Sequence, residues 1–232
     1  MPEGNCFHYD QAAVDHLARK DKKLAAAMQA IGPVRREVMP DLFQALMHAI
    51  TGQQISMAAQ RTVWGRLCGL LGEVTPQALL AQPQTALQAL GLSARKVDYM
   101  RGIARQVVDG ELDLPGMAAL EDAEVCRRLA ALRGIGVWTA EMLLLFSLQR
   151  PDILSYDDLA IRRGLRMLYR HKEMPRERFE RYRRRFSPYG SLASLYLWAI
   201  AGGALPELDD PAERKKGRSR PAASLKSTVT KD

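Results

Sequence analysis

Three cysteines in 232 residues are too few and too scattered for a metal centre or a disulfide framework. Cys6, Cys68 and Cys126 show no C-x2-C spacing, which argues against a zinc site or a protein-held iron–sulfur cluster. Such sparse cysteine also fits a reducing compartment, so a cytoplasmic protein is expected. His8, His16, His48 and His171 have no ligand spacing either, and no metal is assigned to them. No apolar run approaches the roughly 20 residues of a membrane span. The start, MPEGNCFHYDQ, has neither the basic nor the apolar segment of a signal peptide. No membrane partner is expected. Sustained alternation of β-branched and aromatic residues between turns is missing too, which leaves little room for strands.

What is present is helical period. Hydrophobic residues at 47% and charged residues at 26% suit a globular chain with a sizeable core, as one large domain or two lobes. Leu42, Leu46, Ala49 and Ile50 make one apolar stripe of a helix over 40–52. Ile55, Ala58, Ala59, Val63 and Leu67 continue it in a second helix to Gly72. Thr75-Pro76 and Gln82-Pro83 read as helix starts with proline at the first helical position. Ser93 caps a helix carrying Val97, Met100, Ala104 and Val108 that ends at Gly110. Helices over 122–132, 137–148, 157–169, 175–186 and 188–201 complete the set. The fold class is all-α, with a helical core over 1–210.

The net charge of +8 suggests a polyanionic partner. It is unevenly placed: from Pro211 onward there are seven basic and two acidic residues, so five of the eight net charges lie in the last 22 residues. That basic tail, 211–232, has hardly any large apolar groups and is expected to be disordered. The core is only mildly basic, and charge alone does not establish a nucleic-acid partner. Arg181, Arg183, Arg184 and Arg185 read most simply as a solvated helix face.

The segment Leu132-Arg133-Gly134-Ile135-Gly136-Val137-Trp138-Thr139-Ala140 lies between two of these helices. Two glycines one residue apart allow backbone angles that a Cβ obstructs, and let the chain approach a ligand closely. Ile135 between them can plug the gap between the helices. The free N–H groups at the start of the second helix then offer a phosphate site, assigned to Gly134, Ile135, Gly136 and Thr139. This is the design of a helix–hairpin–helix, over about 122–148, which grips DNA by its backbone. An ordinary C-cap glycine followed by a turn explains the three-residue pattern equally well, so context has to decide.

That context follows about twenty residues later, in LSYDDLAIRRG (154–164). Together with PDLFQALMHAITGQQIS (40–56), GLSARKVDYM (91–100), GIGVWTAEMLLLF (134–146) and SPYGSLASLYLW (187–198), it resembles the helix–hairpin–helix DNA glycosylase superfamily. Within it the chain is similar to the alkylpurine branch, 3-methyladenine DNA glycosylase II, over roughly residues 8–203. The resemblance implies a two-lobed helical fold with a cleft, in a compact form lacking that branch's N-terminal α/β domain. It implies Asp158 as the catalytic carboxylate, although an aspartate at a helix start is also a common N-cap. It implies Trp138, Trp198 and Met142 as walls for a flipped base, and Gln54 or Gln53 as the side chain wedged into the gap left behind. Relatives that also cut the strand carry a lysine where this chain has Trp138, so hydrolysis without a lyase step is expected. No organic cofactor is implied, though the family's hairpin can hold a monovalent cation on backbone carbonyls. The implied partner is double-stranded DNA containing alkylated bases, with the protein as a monomer. The competing readings are an oxidised-base glycosylase/lyase and a non-catalytic DNA-binding module built on the same hairpin.

Overall fold

Short polar side chains start seven of the twelve α-helices found among the described residues, each accepting a hydrogen bond from a first-turn N–H. The structure, a computed structural model, describes residues 6–213. Its helices are α1 Gln11–Lys20, α2 Lys22–Ile31, α3 Leu42–Gly52, α4 Met57–Leu71, α5 Pro76–Ala81, α6 Gln84–Ala89, α7 Ala94–Val108, α8 Asp122–Ala130, α9 Val137–Phe146, α10 Leu159–Tyr169, α11 Arg176–Phe186 and α12 Gly190–Ala201. A 3-10 turn, Pro115–Ala119, precedes α8. No strand occurs among the described residues beyond one isolated bridge, Cys6 to Glu37. No helix there is long and apolar enough to cross a membrane. The basic tail lies almost wholly outside the described residues.

The all-α reading holds, with shifts at several helix ends. Pro83 and Pro175 are the N-caps of α6 and α11, one position earlier than a first helical proline. The last helix begins at Gly190, two residues after Pro188. Helical period does not single out α1 and α2, whose buried stripes are short: Ala13 and Leu17, then Leu24, Ala27 and Met28. Asp21 ends the first and caps the second, accepting from the N–H groups of Lys23 and Leu24 at 3.0 Å.

The helices form two groups. α3 to α9 pack on one another in the middle of the chain, with α8 against α9 as the hairpin pair and α3 touching both α7 and α9. α1 and α2 from the start of the chain pack with α10, α11 and α12 from its end. The α10–α12 crossing depends on Gly164, where a Cβ would run into the backbone of Leu197, 3.1 Å from its Cα. That close approach brings Trp198, on α12, level with the start of α10. Asp210 fastens the far end of α10: its buried carboxylate accepts from Arg166 Nε at 3.0 Å.

Candidate active site

The segment between α9 and α10 is irregular, so its polar backbone needs other partners. α12 supplies them: Ser191 Oγ accepts from Ile153 N–H at 2.9 Å, and Ser194 Oγ donates to the Ile153 carbonyl at 2.8 Å. Asp152 accepts from the Gly190 N–H at 3.0 Å and from Ser187 Oγ at 2.6 Å. Ser155, fully buried, donates to Glu141 of α9, whose carboxyl burial pushes above its usual pKa. The segment is thereby stitched down on both sides just before it delivers Asp158.

Asp158 is buried, 6% exposed, and accepts three N–H hydrogen bonds. Oδ1 takes the Ile161 backbone N–H at 2.8 Å, which makes Asp158 the N-cap of α10, and the Trp198 indole at 3.1 Å. Oδ2 takes the Trp138 indole at 3.0 Å. The residue singled out as the candidate carboxylate is therefore also the N-cap, and the exposed neighbour Asp157 caps nothing. No cation lies within ion-pair distance of Asp158 among the described residues. Its partners are neutral dipoles, which fix the carboxylate without cancelling its charge.

The two tryptophans differ in setting. Trp138 is 46% exposed at the start of α9, while Trp198 stacks on Phe146 at 5.5 Å between centroids and 22° between planes. Met142 is half-buried one turn beyond Trp138. Phe146 escaped the sequence reading, yet Trp138, Met142 and Phe146 recur every four residues along one face of α9, a spacing that singles it out. Of the seven exposed large hydrophobic side chains among the described residues, five lie at the helix starts around this site: Ile55 and Met57, Val137 and Trp138, and Leu159. Apolar groups so concentrated make this face a candidate for binding.

The hairpin lies beside it. Gly134 has φ +91, and a Cβ there would meet the Tyr99 ring, 2.8 Å from Cε2. Ile135 is buried between α8 and α9. Gly136 is different from Gly134: its φ of −93 suits any residue, and nothing stands within 4 Å of where its Cβ would be. It caps α9 with no side chain, so the first-turn N–H groups of Val137, Trp138 and half-buried Thr139 face outward beside open space. In the turn itself, the Leu132 and Gly134 carbonyls accept from Ile135 N–H and from a side chain, each with a second lone pair to spare. With the unbonded Ile135 carbonyl, this set fits a weakly bound monovalent cation. No cluster of three or more metal-ligating side chains occurs among the described residues.

The side chain on Gly134 is Gln53, which donates from Nε2 to the carbonyl at 2.7 Å. Gln53 is therefore engaged in tying the α3–α4 turn to the hairpin. Gln54 next to it is exposed, at φ +57, a left-handed conformation uncommon for glutamine. The turn is held on two more sides. Lys96 Nζ donates to the Thr51 carbonyl at 2.9 Å, and Gln60 Nε2 to the His48 carbonyl at 3.0 Å, satisfying the last carbonyls of α3.

Comparison with known proteins agrees with this geometry. Residues 47–188 match the family model described as the HhH-GPD superfamily of base excision DNA repair proteins. DNA-3-methyladenine glycosylase 1 of Schizosaccharomyces pombe is 30% identical over 209 residues, covering 87% of this chain and 91% of its own length. Among solved structures, DNA-3-methyladenine glycosidase from Bacillus halodurans superposes with a TM-score of 0.79 at 34% identity, covering 88% of this chain and 95% of that one. The S. pombe 3-methyladenine DNA glycosylase in complex with abasic DNA gives 0.70 at 30% identity, covering 81% and 95%.

Proposed function

The chain belongs to the HhH-GPD superfamily of base excision DNA repair proteins, and from that premise we propose that it is a monofunctional DNA N-glycosylase acting on alkylated bases. The observation that carries the reading is the pair of indole N–H groups on Asp158 beside an uncapped helix start. The named relatives, 3-methyladenine glycosylases of 30–34% identity, support alkylated purines as the substrate class.

In the proposed reaction the α9 N-terminus and the hairpin N–H groups bind a backbone phosphate, and Gln54 fills the space left by the extruded nucleotide. The flipped base lies against Trp138 and Trp198, with Met142 lining the same face. A 3-methyladenine or 7-methylguanine is cationic, so an indole face attracts it. The bond from C1′ to the base nitrogen breaks, and its electron pair leaves with the base, which needs little acid help because it already carries positive charge. The oxocarbenium-like sugar forms beside the Asp158 carboxylate, whose charge stabilises it. Water adds its oxygen to C1′ and gives up a proton, leaving an abasic site. Asp158 orients that water. Trp138 occupies the place of the lysine that would form a Schiff base, so the strand stays intact. A monovalent cation, where bound, would be held by the hairpin carbonyls of Leu132, Gly134 and Ile135 and would supply positive charge to the phosphate site. The protein works as a monomer in the cytoplasm on double-stranded DNA.

The test is to incubate the protein with methylated duplex and measure free bases and strand breaks separately. Release of 3-methyladenine and 7-methylguanine, with breaks appearing only after alkali, is expected. Breaks without alkali would point to the glycosylase/lyase reading. Binding without release of any alkylated, oxidised or deaminated base would leave a non-catalytic module.

A further inference from the structure

Tyr156, two residues before Asp158, carries two guanidiniums on its ring. Those of Arg162, on α10, and Arg176, the first residue of α11, each lie 5.0 Å from the ring centroid. The ring is fixed by edge-on packing against Phe179 at 5.2 Å. Neither arginine has a carboxylate within ion-pair distance among the described residues, and Arg162 Nε is buried without a hydrogen-bond partner. The arginines further along α10 behave differently: Arg163 pairs with Asp210 and Glu213, and Arg166 with Asp210. The acids nearest the ring do not serve either. Glu141 feels the field of Arg176 but is hydrogen-bonded by Ser155, and Asp157 is exposed.

Two cations gathered on one aromatic ring without a carboxylate in ion-pair contact repel each other, and part of one is out of water. An incoming anion relieves both costs. Stacking also fixes each guanidinium plane and leaves its edge N–H groups to grip a phosphate in bidentate fashion. Arg162 is one helical turn from Asp158, about 6 Å along α10, so an anion held there lies next to the sugar that Asp158 faces. The hairpin, which reaches Asp158 through Trp138, already accounts for one phosphate.

Building on the glycosylase reading, we infer that Arg162 and Arg176, stacked on Tyr156, bind a second backbone phosphodiester of the lesion-bearing strand beside the extruded nucleotide. The test uses the full chain and duplexes that are undamaged or contain a tetrahydrofuran abasic analogue, titrated between about 50 and 200 mM salt. Arg162→Gln and Arg176→Gln should each weaken binding about fivefold and lower the salt slope by about 1, whereas Arg181→Gln on the same helix changes neither. Neutral methylphosphonates placed singly along the lesion strand locate the contact. At one linkage the wild type should lose what the double variant has already lost, so the two effects do not add. Wild-type affinity and slope in both variants, or additive losses at every linkage, would overturn the site. Arg176 is exposed, so Arg176→Gln keeps the test valid even where Arg162→Gln unfolds. Binding needs no base release. A protein that shows this phosphate contact yet frees no base overturns the glycosylase reading alone, and base release with unchanged binding in the variants overturns the phosphate site alone.

Discussion

Gly134→Ala and Gly136→Ala are the same chemical change two residues apart, and the structure assigns them opposite consequences. At Gly134 an alanine must adopt φ +91, at a cost of roughly 1–2 kcal/mol for an L-residue. Its methyl also enters the Tyr99 ring, and moving that ring within packed surroundings costs about 1–3 kcal/mol more. A loss of about 2–5 kcal/mol lowers the thermal midpoint by roughly 4–20 °C in a chain of this size. At Gly136 the backbone suits alanine and the methyl meets open space, so only the poorer N-cap costs stability, about 0.5–1 kcal/mol. In the proposed function a phosphate approaches the α9 N–H groups through that open space, so Gly136→Ala should weaken duplex binding about tenfold or more. Differential scanning fluorimetry and fluorescence anisotropy separate the two effects. Adding Tyr99→Leu to Gly134→Ala should recover the clash and leave the φ cost, a positive coupling in a double-mutant cycle. Gly134→Ala melting with the wild type, or Gly136→Ala losing stability while DNA affinity is retained, would refute this assignment.

Trp198→Phe keeps the stack on Phe146 but removes one of the three donors to Asp158, so single-turnover base release should fall about 10²-fold with duplex affinity nearly unchanged. Equal losses in affinity and rate would mean that the indole serves packing. Burial raises the Glu141 pKa, so its ionised form destabilises the fold above that pKa and the cost vanishes as pH falls below the unfolded value. Glu141→Gln should accordingly melt above the wild type near about pH 8, with the gap closing towards about pH 4; a gap that widens on acidification reverses the sign and refutes it. Asp21 and Asp210 shift the other way. Burial works to raise both, but the Leu24 N–H and Arg185 hold Asp21 below the ordinary carboxylate range, and Arg166 and the Ala212 N–H hold Asp210 there. Their contribution is complete above about pH 4 and is lost as pH falls through the depressed values, so Asp210→Asn should flatten the acid limb of a melting curve.

The helices from α3 onward were legible because most of their apolar stripes use Leu, Ile and Val, and five of the ten also start at a capping Ser, Thr or Asp. α1 and α2 were not, because their stripes lean on alanine and contrast weakly with the rest of the helix. Asp158, Trp138 and Trp198 stand out as motif residues, but nothing in their spacing says that both indoles would meet the carboxylate. That depends on the α10–α12 approach at Gly164. Gln54 reads as the first wedge candidate and its neighbour Gln53 as the second, on the family position alone. The left-handed φ at Gln54 separates them, leaving one glutamine exposed and the other bonded to a carbonyl 81 residues away. The pairing of Tyr99 with Gly134, and of Arg176 with Tyr156, are likewise contacts between distant segments that no local period encodes.

Whether the Asp158 carboxylate carries the proposed chemistry is decided by Asp158→Asn. Asparagine can still cap α10 and accept an indole N–H, so the fold and the binding of abasic-analogue duplex should survive. Loss of the negative charge beside C1′ should lower single-turnover release of 3-methyladenine and 7-methylguanine about 10³-fold or more. A variant that binds the duplex and still releases these bases within about tenfold of the wild-type rate would contradict the account.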